Sequence, residues 1–228
     1  MMRDMTFSPL GDSAVVVTMG SNQGETSLRW AQALTAALDH DRPAGVIDVV
    51  PAFSNVTVFY DVTRIGDFAR LCGEIEGRLT RADTGVTSQR LRRVEIPVRY
   101  GGEFGPDLEE LAARANLPVA KVVALHTGAD YLVQAIGFAP GFAYLGGLPE
   151  KIHAPRRTTP RTGVAAGTVG IGGAQTGVYP LVTPGGWNLI GRTPLRLFDA
   201  GRPEPALLRA GDRVKFRAID LEEFATWR

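Results

Sequence analysis

From residue 131 onward, glycine and proline interrupt the chain every few residues and the apolar runs between them are short. A chain cut this often cannot run through long core helices. It has to turn tightly and repeatedly, as closed or sandwiched β architectures do. Gly211-Asp212 followed by Arg213-Val214-Lys215-Phe216 reads as a turn leading into an alternating strand. The second half of the chain is therefore expected to be mainly β.

The first half has a different texture. Ser13 to Met19 is a β-branched run bounded by Gly11-Asp12 and Gly20. Residues 27–38 repeat apolar side chains at helical spacing through Leu28, Ala31, Leu34 and Leu38. Val46 to Pro51 and Asn55 to Tyr60 read as two more strands across a Pro51–Ser54 turn. Ile65 to Leu79 reads as a second helix, and Val94 to Tyr100 as a late strand. The order suggests an α+β sandwich. Residues 80–92 are polar and carry few apolar anchors, so a boundary is expected there. Two domains follow, an α/β unit over 1–90 and a β unit over 91–228. The second opens with Val94 to Tyr100, followed by Asp107 as a cap on one helix and Pro118 at the first position of another.

Composition narrows the function classes. A formal net charge of +1 gives no global field to draw in nucleic acid or an acidic membrane surface. Cys72 is the single cysteine, which excludes an internal disulfide and a multi-cysteine metal site. No signal peptide is read at the N-terminus, and no stretch reaches the roughly 20 apolar residues of a membrane span. A cytoplasmic protein is expected.

No GxxxxGK[ST] loop, GxSxG elbow or HExxH pair is present, and the three histidines lie far apart. Catalytic residues are not identified, and no metal site is expected. The unusual chemistry sits in loops between 137 and 194. Phe138, Pro140, Gly141, Phe142 and Tyr144 alternate aromatic rings with residues that shape the backbone, which suits either a pocket or barrel turns. Arg156 and Arg157 lie between Pro155 and a second proline at 160, with Arg161 directly after it, and stiffly held guanidinium forks suit carboxylate or phosphate. Gly167 to Gly173 could offer backbone N–H groups to an anion. Thr183, Gly185, Gly186, Trp187, Arg192 and Thr193 fit a ligand pocket or a contact with another protein chain. His126 closes a helix and reads either as a C-terminal cap or as a binding residue.

Several segments occur in a fixed order: Pro9-Leu10-Gly11-Asp12, Val50-Pro51-Ala52-Phe53, Pro97 to Leu108, Gly137 to Leu145, Pro155-Arg156 to Pro160-Arg161, and Pro184 to Pro194. Together they resemble the family of 5-oxoprolinase B subunits, also described as allophanate hydrolase subunit 1 and as a sporulation-kinase inhibitor family. Gln134-Ala135 and Asn55 depart from its usual pattern. The resemblance implies an α+β N-terminal domain followed by a mainly-β cyclophilin-like barrel. It implies an ATP-dependent cyclic-amide hydrolase, with Mg as the nucleotide counter-ion, that opens 5-oxoproline to glutamate. It also implies two partners, a homologous C subunit plus a separate A subunit, without which the chain is inactive. An allophanate-hydrolase subunit, a module that inhibits a sensor histidine kinase and, by barrel analogy alone, a prolyl isomerase are the alternatives.

Overall fold

Alternating apolar side chains build the first sheet. In a computed structural model, which describes residues 5–20, 25–81 and 92–227, the chain divides into two units, Met1–Arg90 and Leu91–Arg228. In the first unit, strands β1 (Met5–Pro9), β2 (Ala14–Met19), β3 (Val46–Ala52) and β4 (Asn55–Tyr60) form an antiparallel sheet in the order β1-β2-β4-β3. Val15, Val17 and Met19 of β2 and Val56, Val58 and Tyr60 of β4 are buried on one face, as a period of two requires. On β3 the buried positions Val46 and Val49 are three apart, because the register shifts between Val46 and Asp48.

Helices α1 (Glu25–His40) and α2 (Phe68–Arg81) cover that face with Ala31, Leu34 and Leu38 and with Leu71, Ile75 and Leu79. Burying each of the leucine and isoleucine side chains contributes about 1.5–3 kcal/mol. Helix α2 begins at Phe68 rather than Ile65 because the Asp67 carboxylate accepts from the Arg70 N–H at 2.7 Å and caps the first turn. Met5–Pro9, which carries no clear strand signal, is the outer strand of this sheet, and Val94–Tyr100 opens the second unit. The expected polar connection falls mostly outside the described residues.

The second unit is a closed barrel. Strands β5 (Arg93–Tyr100), β6 (Tyr131–Ile136), β7 (Ala143–Gly146), β9 (Thr168–Gly172), β10 (Gln175–Val178), β12 (Asn188–Arg192) and β13 (Arg213–Ala218) run in the order β6-β13-β5-β12-β9-β10-β7. Strand β7 then pairs back onto β6, which leaves no edge in the ring. The β13–β5 pair is parallel and the others are antiparallel, so the barrel is mixed. Its core contains Ile96, Val98, Val133, Leu145, Val169, Ile171, Ile190, Val214 and Phe216. Together the two units give the α+β, cyclophilin-like architecture.

Helices α3 (Leu108–Arg114) and α4 (Val119–Gly128) add Leu108, Leu111, Ala112 and Val122 to this core. Pro118, in extended conformation, immediately precedes α4 as its cap. A separate ribbon pairs β8 (Arg161–Val164) with β11 (Thr183–Gly185), and a short helix α5 (Leu221–Thr226) follows β13.

Gly105 marks the tightest crossing. A Cβ there would lie 2.1 Å from the Ile190 carbonyl oxygen, while the Asp107 N–H donates to the Leu189 carbonyl two residues on. Backbone on both sides leaves nothing soft to yield. Gly105→Ala is expected to destabilise the barrel by about 3 kcal/mol, measured by urea denaturation. A loss below roughly 0.5 kcal/mol, the scale of an ordinary surface change, would refute this account of the crossing.

Candidate functional site

The loop between β6 and β7 turns through Ala139, Pro140 and Gly141, where the Phe142 N–H donates to the Ala139 carbonyl at 3.0 Å. Gly141 has φ +79°, and a Cβ there would stand 2.9 Å from the Phe198 Cβ. The turn sends Phe142 inward and Phe138 outward. Phe142 is buried, whereas Phe138 is 62% exposed with φ +70°, a conformation that non-glycine residues seldom hold. Pro140 is also exposed.

Phe142 is the centre of an aromatic floor. Its ring meets Phe138 at 5.4 Å, Tyr144 at 4.9 Å, Tyr179 at 5.3 Å and Trp187 at 5.5 Å, all near edge-to-face. Such contacts are each worth about 0.5–1.5 kcal/mol beyond area burial. Trp187 lies on glycine: a Cβ on Gly172 would sit 2.5 Å from its Nε1, and one on Gly177 3.1 Å from its Cζ3. The glycines of the Gly167–Gly173 run are therefore not an anion nest. Gly170 and Gly172 are strand residues of β9, paired across to β10, and the absence of their side chains makes room for an indole.

The arginines divide into two roles. The Arg161 Nη1 and Nη2 donate to both oxygens of Asp107 at 2.9 and 2.7 Å, and the Arg157 Nη1 donates to Asp107 Oδ1 at 3.1 Å. The Leu189 N–H donates to Asp107 Oδ2 at 2.7 Å. Asp107 is buried, and it does not cap α3 through its side chain as its position suggests, because its oxygens are taken by these donors. Arg156 has no carboxylate partner among the described residues. Its Cζ stands 5.9 Å over the Trp187 ring.

Tyr179, which sequence reasoning missed, joins the parts. Burial pushes its phenol up, and the Trp187 backbone N–H and the guanidiniums of Arg156 and Arg161 pull against that. The Tyr179 hydroxyl packs directly on the Gly185 backbone, where a Cβ would stand 2.4 Å from it. The Gly186 carbonyl accepts from the Arg157 N–H at 2.7 Å. Thr183 lies on the same strand as Gly185, and its Oγ1 is buried without a hydrogen-bond partner among the described residues.

Three sequence candidates lie elsewhere in the network. Arg192 donates from Nε to the Ala166 carbonyl at 2.9 Å, and the Thr193 N–H donates to the Gly167 carbonyl at 2.9 Å. Both fasten the turn before β9. His126 is neither a surface cap nor exposed; it is fully buried in the barrel. Thr176 donates its hydroxyl to the Gly170 carbonyl, so it accepts from His126 Nε2–H at 3.0 Å. The Nδ1 then accepts from the Tyr100 hydroxyl at 2.7 Å. Burial lowers the His126 pKa to about 3, and the ring stays neutral.

The chain matches the carboxyltransferase domain family, subdomain C and D, over residues 5–208. It is 43% identical to the 5-oxoprolinase B subunit of Bacillus subtilis, over 96% of this chain and 95% of that protein. The chain belongs to the family of 5-oxoprolinase B subunits. The crystal structure of TTHA0988 superposes with a TM-score of 0.79 at 39% identity, over 91% of this chain. The match spans only 39% of that longer chain. The Kluyveromyces lactis urea carboxylase shares the fold, with a TM-score of 0.73 at 17% identity over 97% of this chain and 22% of that one.

The ATP and Mg that this family implies find no fitted cradle among the described residues. The Gly170 and Gly172 backbone is paired into the sheet, and Arg157 and Arg161 are held by Asp107. No group of three or more His, Cys, Asp or Glu among the described residues is placed to hold a metal ion.

Two expected outcomes follow from this geometry. Asp107→Asn leaves two guanidiniums facing a neutral amide, and is expected to cost about 2 kcal/mol, the arginines' partial exposure screening the loss below that of a fully buried pair. Urea denaturation at neutral pH measures it, and an unchanged midpoint would contradict the clamp. His126 has a folded pKa of about 3, below its unfolded value of 6.5. Its contribution is complete above pH 6.5 and is lost as the pH falls towards 3, at about 1.4 kcal/mol per unit. The His126 ring proton resonances are expected to stay flat from pH 8 to 4.5, and a midpoint near 6.5 would overturn the assignment.

Proposed function

We propose that this chain is the B subunit of a cytoplasmic, ATP-dependent 5-oxoprolinase, acting with a homologous C subunit plus a separate A subunit to open 5-oxoproline to glutamate. The observation that carries the reading is the end-to-end match, at 43% identity, to a relative that bears the B-subunit name. The geometry supports a role in holding and orienting a small molecule. The Arg156 guanidinium is exposed above the buried Trp187 ring, Phe138 is the exposed ring of the same aromatic cluster, and Leu181 and Val182 are exposed on the same unit. The regulatory alternative is not favoured, because curated relatives matched over 95% and 100% of their length carry the enzyme's name.

Ring opening works against amide resonance, so the lactam oxygen needs activation before water can attack. That chemistry is assigned to ATP, with Mg as its counter-ion, in the assembly rather than to groups of this chain. The residues of this chain would fix the substrate against Trp187 and Tyr179 and keep water from its buried edge. Most of a bimolecular barrier's entropic part can be removed by such positioning.

Co-expression with the C and A subunits tests the proposal. ADP release that depends on 5-oxoproline is expected from the full assembly and is expected to vanish when this chain is omitted. A well-formed assembly with no such turnover would remove the 5-oxoprolinase reading.

A further inference from the structure

Arg156 is the one guanidinium of its loop that the clamp leaves unspent. Its neighbours are fixed on both sides. The Pro155 carbonyl accepts from Asn188 Nδ2 at 2.9 Å, and the Arg157 N–H donates to the Gly186 carbonyl at 2.7 Å. Arg156 therefore leaves a backbone that cannot drift, and its head lies over Trp187. Trp187 in turn rests on glycine backbone. A guanidinium stacked by one face keeps its N–H edge free, which is the edge that pairs with a carboxylate in two parallel hydrogen bonds.

Two further observations on the segments around Tyr179 and Trp187 bear on a ligand. The Thr183 Oγ1 is buried without a partner among the described residues, on the strand whose Gly185 backbone packs against the Tyr179 hydroxyl. Phe138 holds a left-handed backbone and an exposed ring, packed edge-on at 6.5 Å to Tyr179. Strain of that kind costs on the order of 1–3 kcal/mol and concentrates at binding sites. An exposed flat ring beside a hydroxyl and a guanidinium fork matches a planar group joined to a carboxylate.

We infer that Arg156, carried on Trp187, anchors the carboxylate of a small planar amide acid whose amide lies towards Tyr179 and Phe138. The inference rests on the proposed enzyme role for the class of ligand. Both 5-oxoproline and allophanate carry a planar amide and a carboxylate, so the anchor is common to the two. Arg157 and Arg161 do not share the role, because Asp107 already holds them.

The test follows the Trp187 indole N–H resonance of the full chain during titration with 5-oxoproline, with potassium allophanate and with 2-pyrrolidinone, the lactam without its carboxylate. 5-Oxoproline is expected to shift the signal saturably and 2-pyrrolidinone to bind at least tenfold more weakly. Arg156→Met is expected to weaken 5-oxoproline at least tenfold and leave 2-pyrrolidinone unchanged, with Arg156→Lys in between. If only allophanate behaves this way, the anchor stands and the substrate changes. A Trp187 signal unmoved by both acids overturns the inference, as does an equal loss for acid and lactam in Arg156→Met. Arg156-dependent binding with no turnover in the assembly would refute the function and keep the anchor; turnover with a silent Trp187 would do the reverse.

Discussion

A buried carboxylate has to be matched by donors or it destabilises whatever contains it. Asp107 meets that demand with four N–H groups drawn from three places in the chain: Leu189 at the start of its barrel stretch, Arg157 in the proline-bounded loop and Arg161 at the start of β8. Satisfying one side chain thereby fixes the entry to α3, the register of β12 and the path of the arginine loop. The same arrangement decides which arginine is available. Two guanidiniums are consumed in neutralising Asp107, and the third is carried past it onto Trp187.

The aromatic floor depends on a complementary device. Large rings pack firmly only where the surface beneath them is shaped to receive them, and here the receiving surface is backbone. The missing side chain at Gly172 lets the Trp187 indole approach the strand to a distance that a Cβ would block, and at Gly177 a Cβ would press on the ring at 3.1 Å. The ring then has neighbours on its far side in Phe142 and Tyr144, so it cannot rotate away. A rigid indole is a better platform for a cation than a mobile one, because the stacked guanidinium loses less freedom when an anion arrives.

The architecture was largely legible in the sequence, since both β alternation and helical spacing are local signals. The β-branched run around Val15 and Val17 and the Leu28–Leu38 spacing could only be satisfied by a sheet with a helix across it. Met5–Pro9 was silent, because an outer strand with one poorly buried face has no alternation to read. The candidate site was legible only in part. Phe142, Arg156 and Trp187 stand in segments dense with glycine and proline, which advertise shaped loops. Tyr179 lies in Gly177-Val178-Tyr179-Pro180 with nothing to mark it, and it reaches the site only through pairings of β10 distant in sequence. Asp107 misled for a physical reason: helix-cap position and long-range ion pair use the same residue type, and only the fold decides between them.

Two groups suited by type to act as a base, His126 and Asp107, are both occupied. His126 has each ring nitrogen in a hydrogen bond, one accepting from Tyr100 and one donating to Thr176, and burial holds it neutral well below physiological pH. Asp107 has both oxygens covered by nitrogen donors. Freeing either would first break contacts that hold the barrel, a cost that would appear in every turnover. Proton transfer at an amide bound on this face must then come from other groups. What remains to the Arg156 face is recognition: an exposed guanidinium carried over Trp187 and the exposed Phe138 ring of the same cluster, which orient an amide acid without themselves reacting with it.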